Sequence, residues 1–187
     1  MRIYGALAPV ECQPEKVHKI LREKFNTDIV SKIGEGSSGV AYELSNGDVL
    51  KITTNQQEGR VANWLVSNPN PNIANYKTIW PEGDLYYIIM EKIEPLASSS
   101  PLREQIEKIL AMMESSEARI YVSTEINNII EFLEKQQTRR NLPLVGNVFL
   151  DYLKHISELS QQIPIFDFLN IDNIGIKDGK LKFFDIT

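Results

Sequence analysis

Between Ile29 and Ile52 three β-type runs follow one another with no room for a helix, and glycines separate the first two. Ile29-Val30 and Ile33 lead into Gly34-Glu35-Gly36-Ser37-Ser38-Gly39-Val40, and Val40 to Leu44 continues as a second strand. Asn46-Gly47 then breaks the chain before Val49-Leu50-Lys51-Ile52. An Asn-Gly pair between β-type runs predicts a tight hairpin turn with both residues at positive φ. The glycines therefore sit inside a strand–strand hairpin. That sets them apart from a dinucleotide-binding unit, in which the glycine-rich turn opens a helix.

Around this hairpin the chain falls into zones. Val17, Ile20, Leu21 and Phe25 recur at helical spacing, and Pro14 suits a first turn, so a helix is predicted over Pro14 to Phe25 with packing against the sheet as its role. A second helix is predicted over about 56–66, closed by the loop 67–72. Tyr76 to Trp80 and Leu85 to Glu91 read as two more strands around a turn at 81–84. Past Ser98-Ser99-Ser100-Pro101 the pattern becomes helical: Ile106, Ile109, Leu110 and Met113, then Ile126, Ile129, Ile130 and Leu133, then a helix over about 148–161. The last zone returns to strands, Ile174 to Ile176 and Leu181 to Phe184, around Asp178-Gly179. The expected division is an N-terminal extension over 1–28, a sheet zone over 29–97 and a helical zone with a closing hairpin over 98–187.

Composition removes several functions. Twenty basic against 25 acidic residues give a net charge of −5, so there is no broad footprint for nucleic acid. Cys12 is the only cysteine and His18 and His155 the only histidines, which excludes a thiolate cluster or a multi-histidine metal site. No apolar run approaches the ~20 residues of a membrane span, and the opening MRIYGALAPVE is too short for a secretory signal. The expectation is a cytoplasmic, reduced-thiol protein that works neither on a membrane nor on nucleic acid.

Four segments carry chemistry. Gly34 to Val40 is read as a G-x-G-x-x-G-x-V pattern, whose backbone N–H groups suit phosphate oxygens. Lys51, between apolar neighbours on the following strand, points a charge toward the cleft under the hairpin, and its ammonium suits phosphate if an acid holds it. Glu58 is the candidate acid. Asn55-Gln56-Gln57-Glu58 also fits a capping box, worth ~1 kcal/mol, in which Glu58 merely reaches back to the Asn55 backbone. Of the two readings the ion pair is adopted. The apolar strand ending in Met90-Glu91, followed by Lys92-Ile93, and the C-terminal run Asp167-Phe168-Leu169-Asn170-Ile171-Asp172-Asn173 with Phe184-Asp185 complete the set.

Taken in order, GEGSSGVAY, VLKI, the helix with Glu58, IIMEKI, DFLNIDN and FFDIT resemble the protein-kinase-like superfamily, over about 29–187. The likeness is to the small, reduced kinase-like proteins that bacteria and their phages encode. It implies an α+β, bilobal fold with an antiparallel five-stranded N-lobe, one helix carrying Glu58, and a reduced helical C-lobe, with ATP and Mg²⁺ between. By this resemblance Gly34, Gly36, Ser37, Ser38, Gly39 and Val40 cover the phosphates, and Lys51 with Glu58 positions them. The backbone of Glu91 and Ile93 binds adenine, with Met90 behind the base. Asp167 is the implied catalytic base, with Asn173 and Asp185 as metal ligands; Asp172 is the alternative base.

The implied activity is transfer of the ATP γ-phosphate to a hydroxyl, as a minimal Ser/Thr protein kinase. The alternatives are a pseudokinase that holds a protein partner, and a small-molecule phosphotransferase of the aminoglycoside or choline type. This sequence departs from the family pattern at four places. Ile165-Phe166 replaces His-Arg before the base, Asp167 lies six residues before Asn173 instead of five, and Asp185-Ile186-Thr187 replaces Asp-Phe-Gly. No activation segment follows Thr187, so the expectation is a nucleotide-handling core, or a chain cut at that point, without the usual platform for a protein substrate.

Overall fold

A computed structural model describes residues 14–36, 38–115, 125–138, 146–162 and 170–184. The architecture is α+β: a five-stranded antiparallel sheet, a three-stranded antiparallel sheet and five helices among the described residues. The first helix, α1 (Pro14–Phe25), precedes strands β1 (Ile29–Glu35), β2 (Gly39–Leu44) and β3 (Asp48–Thr53), and then α2 (Gln56–Ser67). Strands β4 (Tyr76–Glu82) and β5 (Leu85–Glu91) complete the larger sheet, in the order β1-β2-β3-β5-β4. A short strand β6 (Glu94–Pro95) leads to helices α3 (Pro101–Ser115), α4 (Glu125–Thr138) and α5 (Gly146–Ser160). The chain closes with β7 (Ile174–Lys177) and β8 (Lys180–Phe183), which share the smaller sheet with β6.

Strand alternation splits the large sheet into two apolar faces. Register pairs Ala41 with Lys51 and Lys51 with Ile88, so these share one face; Val40, Ile52 and Tyr87 share the other. On the first face α2 buries Val61, Ala62 and Leu65 in one apolar cluster with Val49, Ile88 and Met90. On the second, α1 buries Val17 and Leu21 with Val40, Leu44, Leu50 and Ile52. The role expected of α1, packing on the sheet, is the one it has. Phe25, Trp80 and Tyr87 extend that face as a stack, with ring centroids 5.5 Å and 5.2 Å apart.

Two turns differ from the sequence expectation. Only Gly47 of the Asn46-Gly47 pair has positive φ (82°). The loop runs over Ser45–Gly47, with the Gly47 N–H donating to the Leu44 carbonyl at 2.9 Å, which is the three-residue hairpin with glycine at its left-handed end. Pro81 and Glu82 belong to β4, leaving Gly83-Asp84 as the turn. Proline is tolerated there because β4 is an edge strand. At Asp178-Gly179, by contrast, both residues do take positive φ, 51° and 72°.

The sheet and the helices are joined by backbone. Strand β6, which the sequence reading did not separate from its surroundings, pairs with β7, and the Leu96 N–H donates to the Ile174 carbonyl at 3.2 Å. Gly175 is required at this crossing, because a Cβ there would lie 2.3 Å from the Glu94 carbonyl. Phe183 of β8 donates its N–H to the Asn72 carbonyl at 2.8 Å and accepts the Ala74 N–H at 2.7 Å. Its ring stacks on Tyr152 and meets Phe149 edge-on. The apolar cluster under α2 thereby runs without a break into the residues of α3, α4 and α5. No helix among the described residues is long and apolar enough to cross a membrane.

The other edge of the large sheet is β1, which leaves Val30 64% and Ile33 45% exposed and carries two register shifts against β2. Its entry is fixed by Asp28, whose carboxylate accepts from His18 and Arg22 of α1 and from the Ile29 N–H. The hydrogen bond from His18 is the main cause that lowers the Asp28 pKa from 3.8 to about 2. A carboxyl depressed in the folded state stabilises above its unfolded value and loses that contribution as pH falls through the folded one. Between about pH 4 and pH 2 the wild type is therefore expected to lose more thermal stability than Asp28→Asn. Parallel melts followed by circular dichroism would show it, and superimposable pH profiles would refute it.

Candidate functional site

The glycine hairpin, β3 and the start of α2 enclose a cavity of about 360 Å³, the size of a small-ligand site. At its tip the Gly36 N–H donates to the Gly39 carbonyl at 2.9 Å. Gly39 is dictated by packing, since a Cβ there would lie 2.4 Å from the Ile52 carbonyl. Gly34 and Gly36 are not. Among the described residues nothing lies within 4 Å of a Cβ built on either, and neither has positive φ. Packing among the described residues does not call for glycine at these positions, both of which line the cavity.

Lys51 and Glu58 meet on the cavity wall as an ion pair, their side chains 20% and 9% exposed. Register places Lys51 on the sheet face that α2 covers, and α2 brings Glu58 to it. The two sequence readings of Glu58 are resolved by the cap. Asn55 Oδ1 accepts the Gln57 N–H at 2.9 Å and the Glu58 N–H at 3.4 Å, which is the forward half of a capping box. The reverse half goes elsewhere, for the Asn55 N–H donates to Thr53 Oγ1 at 3.0 Å. With that donor satisfied, the Glu58 carboxylate is free for Lys51. Removing one partner from a buried pair costs ~3–5 kcal/mol, whereas an apolar pair of the same volume is often neutral or stabilising. Stability alone is therefore a poor reason for charges at this position.

The remaining residues singled out in the sequence are placed as follows. Ser38 lines the cavity, and Ser37, Asp167 and Asp185 lie outside the described residues. Val40 requires a correction. It is one residue early for the G-x-G-x-x-G-x-V pattern, whose last position is held by Ala41. Val40 borders the cavity, but its side chain is buried with the residues under α1, while Ala41 shares the face of Lys51. Met90 is buried on that same face, opposite Val49.

Glu91 ends β5 with its N–H and its carboxylate both engaged. Its N–H donates to the Asn75 carbonyl at 3.0 Å, and its carboxylate accepts the Asn75 N–H at 2.8 Å and pairs with Lys182. Ile93 is buried against Gly175.

Asn173 ends a single 3₁₀ turn, Ile171–Asn173, which Asn170 caps by accepting the Asp172 N–H at 3.0 Å. The Asn173 carbonyl accepts the Phe184 N–H at 2.8 Å, so Asn173 is held one hydrogen bond from the residue before Asp185. Asp172, the alternative base, is 73% exposed and bonded at 3.0 Å to Arg103 of α3, whose pKa that hydrogen bond raises. Its carboxylate anchors the turn to α3. Sequence reasoning did not foresee this contact, or the Glu91–Lys182 pair, because both join residues far apart in the chain. Among the described residues no group of three or more acidic, histidine or cysteine side chains is placed to hold a metal.

A scan against models of known protein families finds no match to this chain, and a search of curated proteins finds none either.

Gly59 follows Glu58 and seats α2 on β5. A Cβ there would lie 2.5–2.7 Å from the ring of Tyr86. On an open helix Gly→Ala stabilises by ~0.5–1 kcal/mol, but overpacking of this kind costs ~1–3 kcal/mol. Gly59→Ala is expected to lower Tm by several degrees, against the sign of helix propensity. An unchanged or higher Tm in calorimetry would mean that α2 is not held at this distance.

Proposed function

We propose that this chain is a reduced protein-kinase-like phosphotransferase that binds ATP with Mg²⁺ and passes the γ-phosphate to a hydroxyl, as a minimal Ser/Thr kinase. The observation that carries this reading is the Lys51–Glu58 pair in the wall of a cavity roofed by a glycine hairpin. Each part suits a polyphosphate. The glycine-rich backbone offers N–H donors without side chains in the way, and Gly34 and Gly36 leave open the volume that phosphate oxygens would take. Lys51 supplies the positive charge and Glu58 keeps it aimed into the cavity. Buried Val49 and Met90 on the same face give an apolar wall toward the strand that leads out of the sheet, where the base would lie.

In the reaction so proposed, the acceptor oxygen bonds to the γ-phosphorus, the bond from that phosphorus to ADP breaks, and the hydroxyl proton passes to Asp167. Asn173 and Asp185 are the residues that would hold Mg²⁺, which when bound neutralises phosphate charge. The Asn173–Phe184 hydrogen bond keeps their two chain segments together.

Two features favour a second reading, a nucleotide-holding binding module without turnover. Ile165-Phe166 stands where the kinase pattern has His-Arg, and Asp172 is engaged by Arg103. Loss of a well-placed base alone costs ~10²–10⁴ in rate, so the two readings differ in turnover and agree on binding.

Saturating ATP with Mg²⁺, at ~100 times Kd, is expected to add ~2.7 kcal/mol and raise Tm by about 5–10 °C, with Lys51→Met abolishing most of the shift. Absence of a shift in the wild type would sink both readings. Turnover of labelled ATP that is equal in wild type and Asp167→Ala would remove Asp167 as the base.

A further inference from the structure

A chain of hydrogen bonds runs from the glycine hairpin to the acid on α2. The Ser38 carbonyl, on the return limb of the hairpin, accepts the Thr54 N–H at 2.9 Å. Thr53 Oγ1 donates to the same carbonyl at 3.1 Å, and Thr54 Oγ1 lies 3.2 Å from it. A carbonyl has two lone pairs, so the two hydroxyls compete for the second. Thr53 is fully buried and Thr54 is exposed; a buried hydroxyl left without a partner is penalised, while an exposed one turns to water. The Thr53 hydroxyl therefore holds Ser38. Its oxygen accepts in turn from the Asn55 N–H, and Asn55 caps α2 one turn from Glu58.

Packing does not call for this hydroxyl. Valine has nearly the same shape and, like threonine, is favoured in strands, so only the hydroxyl's hydrogen bonds distinguish the two here. We propose that Thr53 is a positioning residue for bound phosphate. It fastens the glycine hairpin and the start of α2 into one body, so that the backbone donors above the cavity and the Lys51–Glu58 pair beside it keep a fixed spacing. The proposal rests on reading the cavity as the phosphate end of a nucleotide site.

The test compares wild type, Thr53→Val and Thr53→Ser as full chains, titrated calorimetrically with ATP and, separately, with adenosine, which lacks phosphate. Thr53→Val is expected to lose about tenfold in ATP affinity, the net worth of one hydrogen bond, with adenosine affinity unchanged and with recovery in Thr53→Ser. A purely structural Thr53 would lower Tm while shifting both ligands by one factor or neither, and that result overturns the proposal. A second arm needs no ligand: amide exchange at Gly36, whose N–H closes the hairpin, should quicken at least tenfold in Thr53→Val and return in Thr53→Ser. Unchanged exchange refutes the clamp itself. Should Thr53→Val not fold, Thr53→Ala carries the same comparison. Wild-type protein that binds neither ligand overturns the phosphate reading, and the exchange arm then decides the clamp separately.

Discussion

Phe183 is where the two halves of the molecule are made one. Its N–H and carbonyl are spent on the loop after α2, its strand closes the small sheet, and its ring lies flat on Tyr152 of α5. Truncating such a ring costs ~3–5 kcal/mol, a large part of the ~5–15 kcal/mol that holds a typical protein folded. The site depends on the same residue indirectly. Phe184 follows it and is bonded to Asn173, while Lys182 precedes it and is paired with Glu91 at the end of β5. The C-terminal hairpin, the exit from the large sheet and the 3₁₀ turn are thus set by one packed aromatic.

Much of the fold was legible because it follows local rules. The bounds of α1 agree with the 3.6-residue spacing of its apolar side chains, and five strands of the large sheet were marked by β-type runs between turn residues. What escaped was non-local. Strand β6 is two residues long, and nothing in Glu94-Pro95 announces a partner far along the chain. Arg103 and Asp172 are 69 residues apart, so the pair that engages Asp172 had no sequence signature. Val40 is a different kind of error. Strand alternation turns each successive side chain over, so a motif read one residue early assigns the wrong face.

Within the candidate site the legible part was the lysine, the acid and the glycines. The choice between ion pair and capping box could not be made locally, because it turned on where a third group sends its hydrogen bond. Thr53 accepts the donor that Glu58 would have accepted in a capping box, and the carboxylate is released by that substitution. A threonine at a strand end carries no such message in sequence, where it reads as ordinary β propensity.

The edge position of β1 gives the glycine hairpin a dynamic character distinct from that of the lysine beneath it. Strand β1 has a single neighbour, two register faults and side chains largely in water. Strand β3 is flanked by β2 and β5 and is almost wholly buried. Local unfolding starts where few buried contacts must be broken, so the outer limb of the hairpin belongs to the least stable cooperative unit of the sheet and Lys51 to one of the most stable. The outer limb can therefore open and reclose many times while the return limb, tied at Ser38 to Thr53 and Thr54, and the strand that carries Lys51 stay folded.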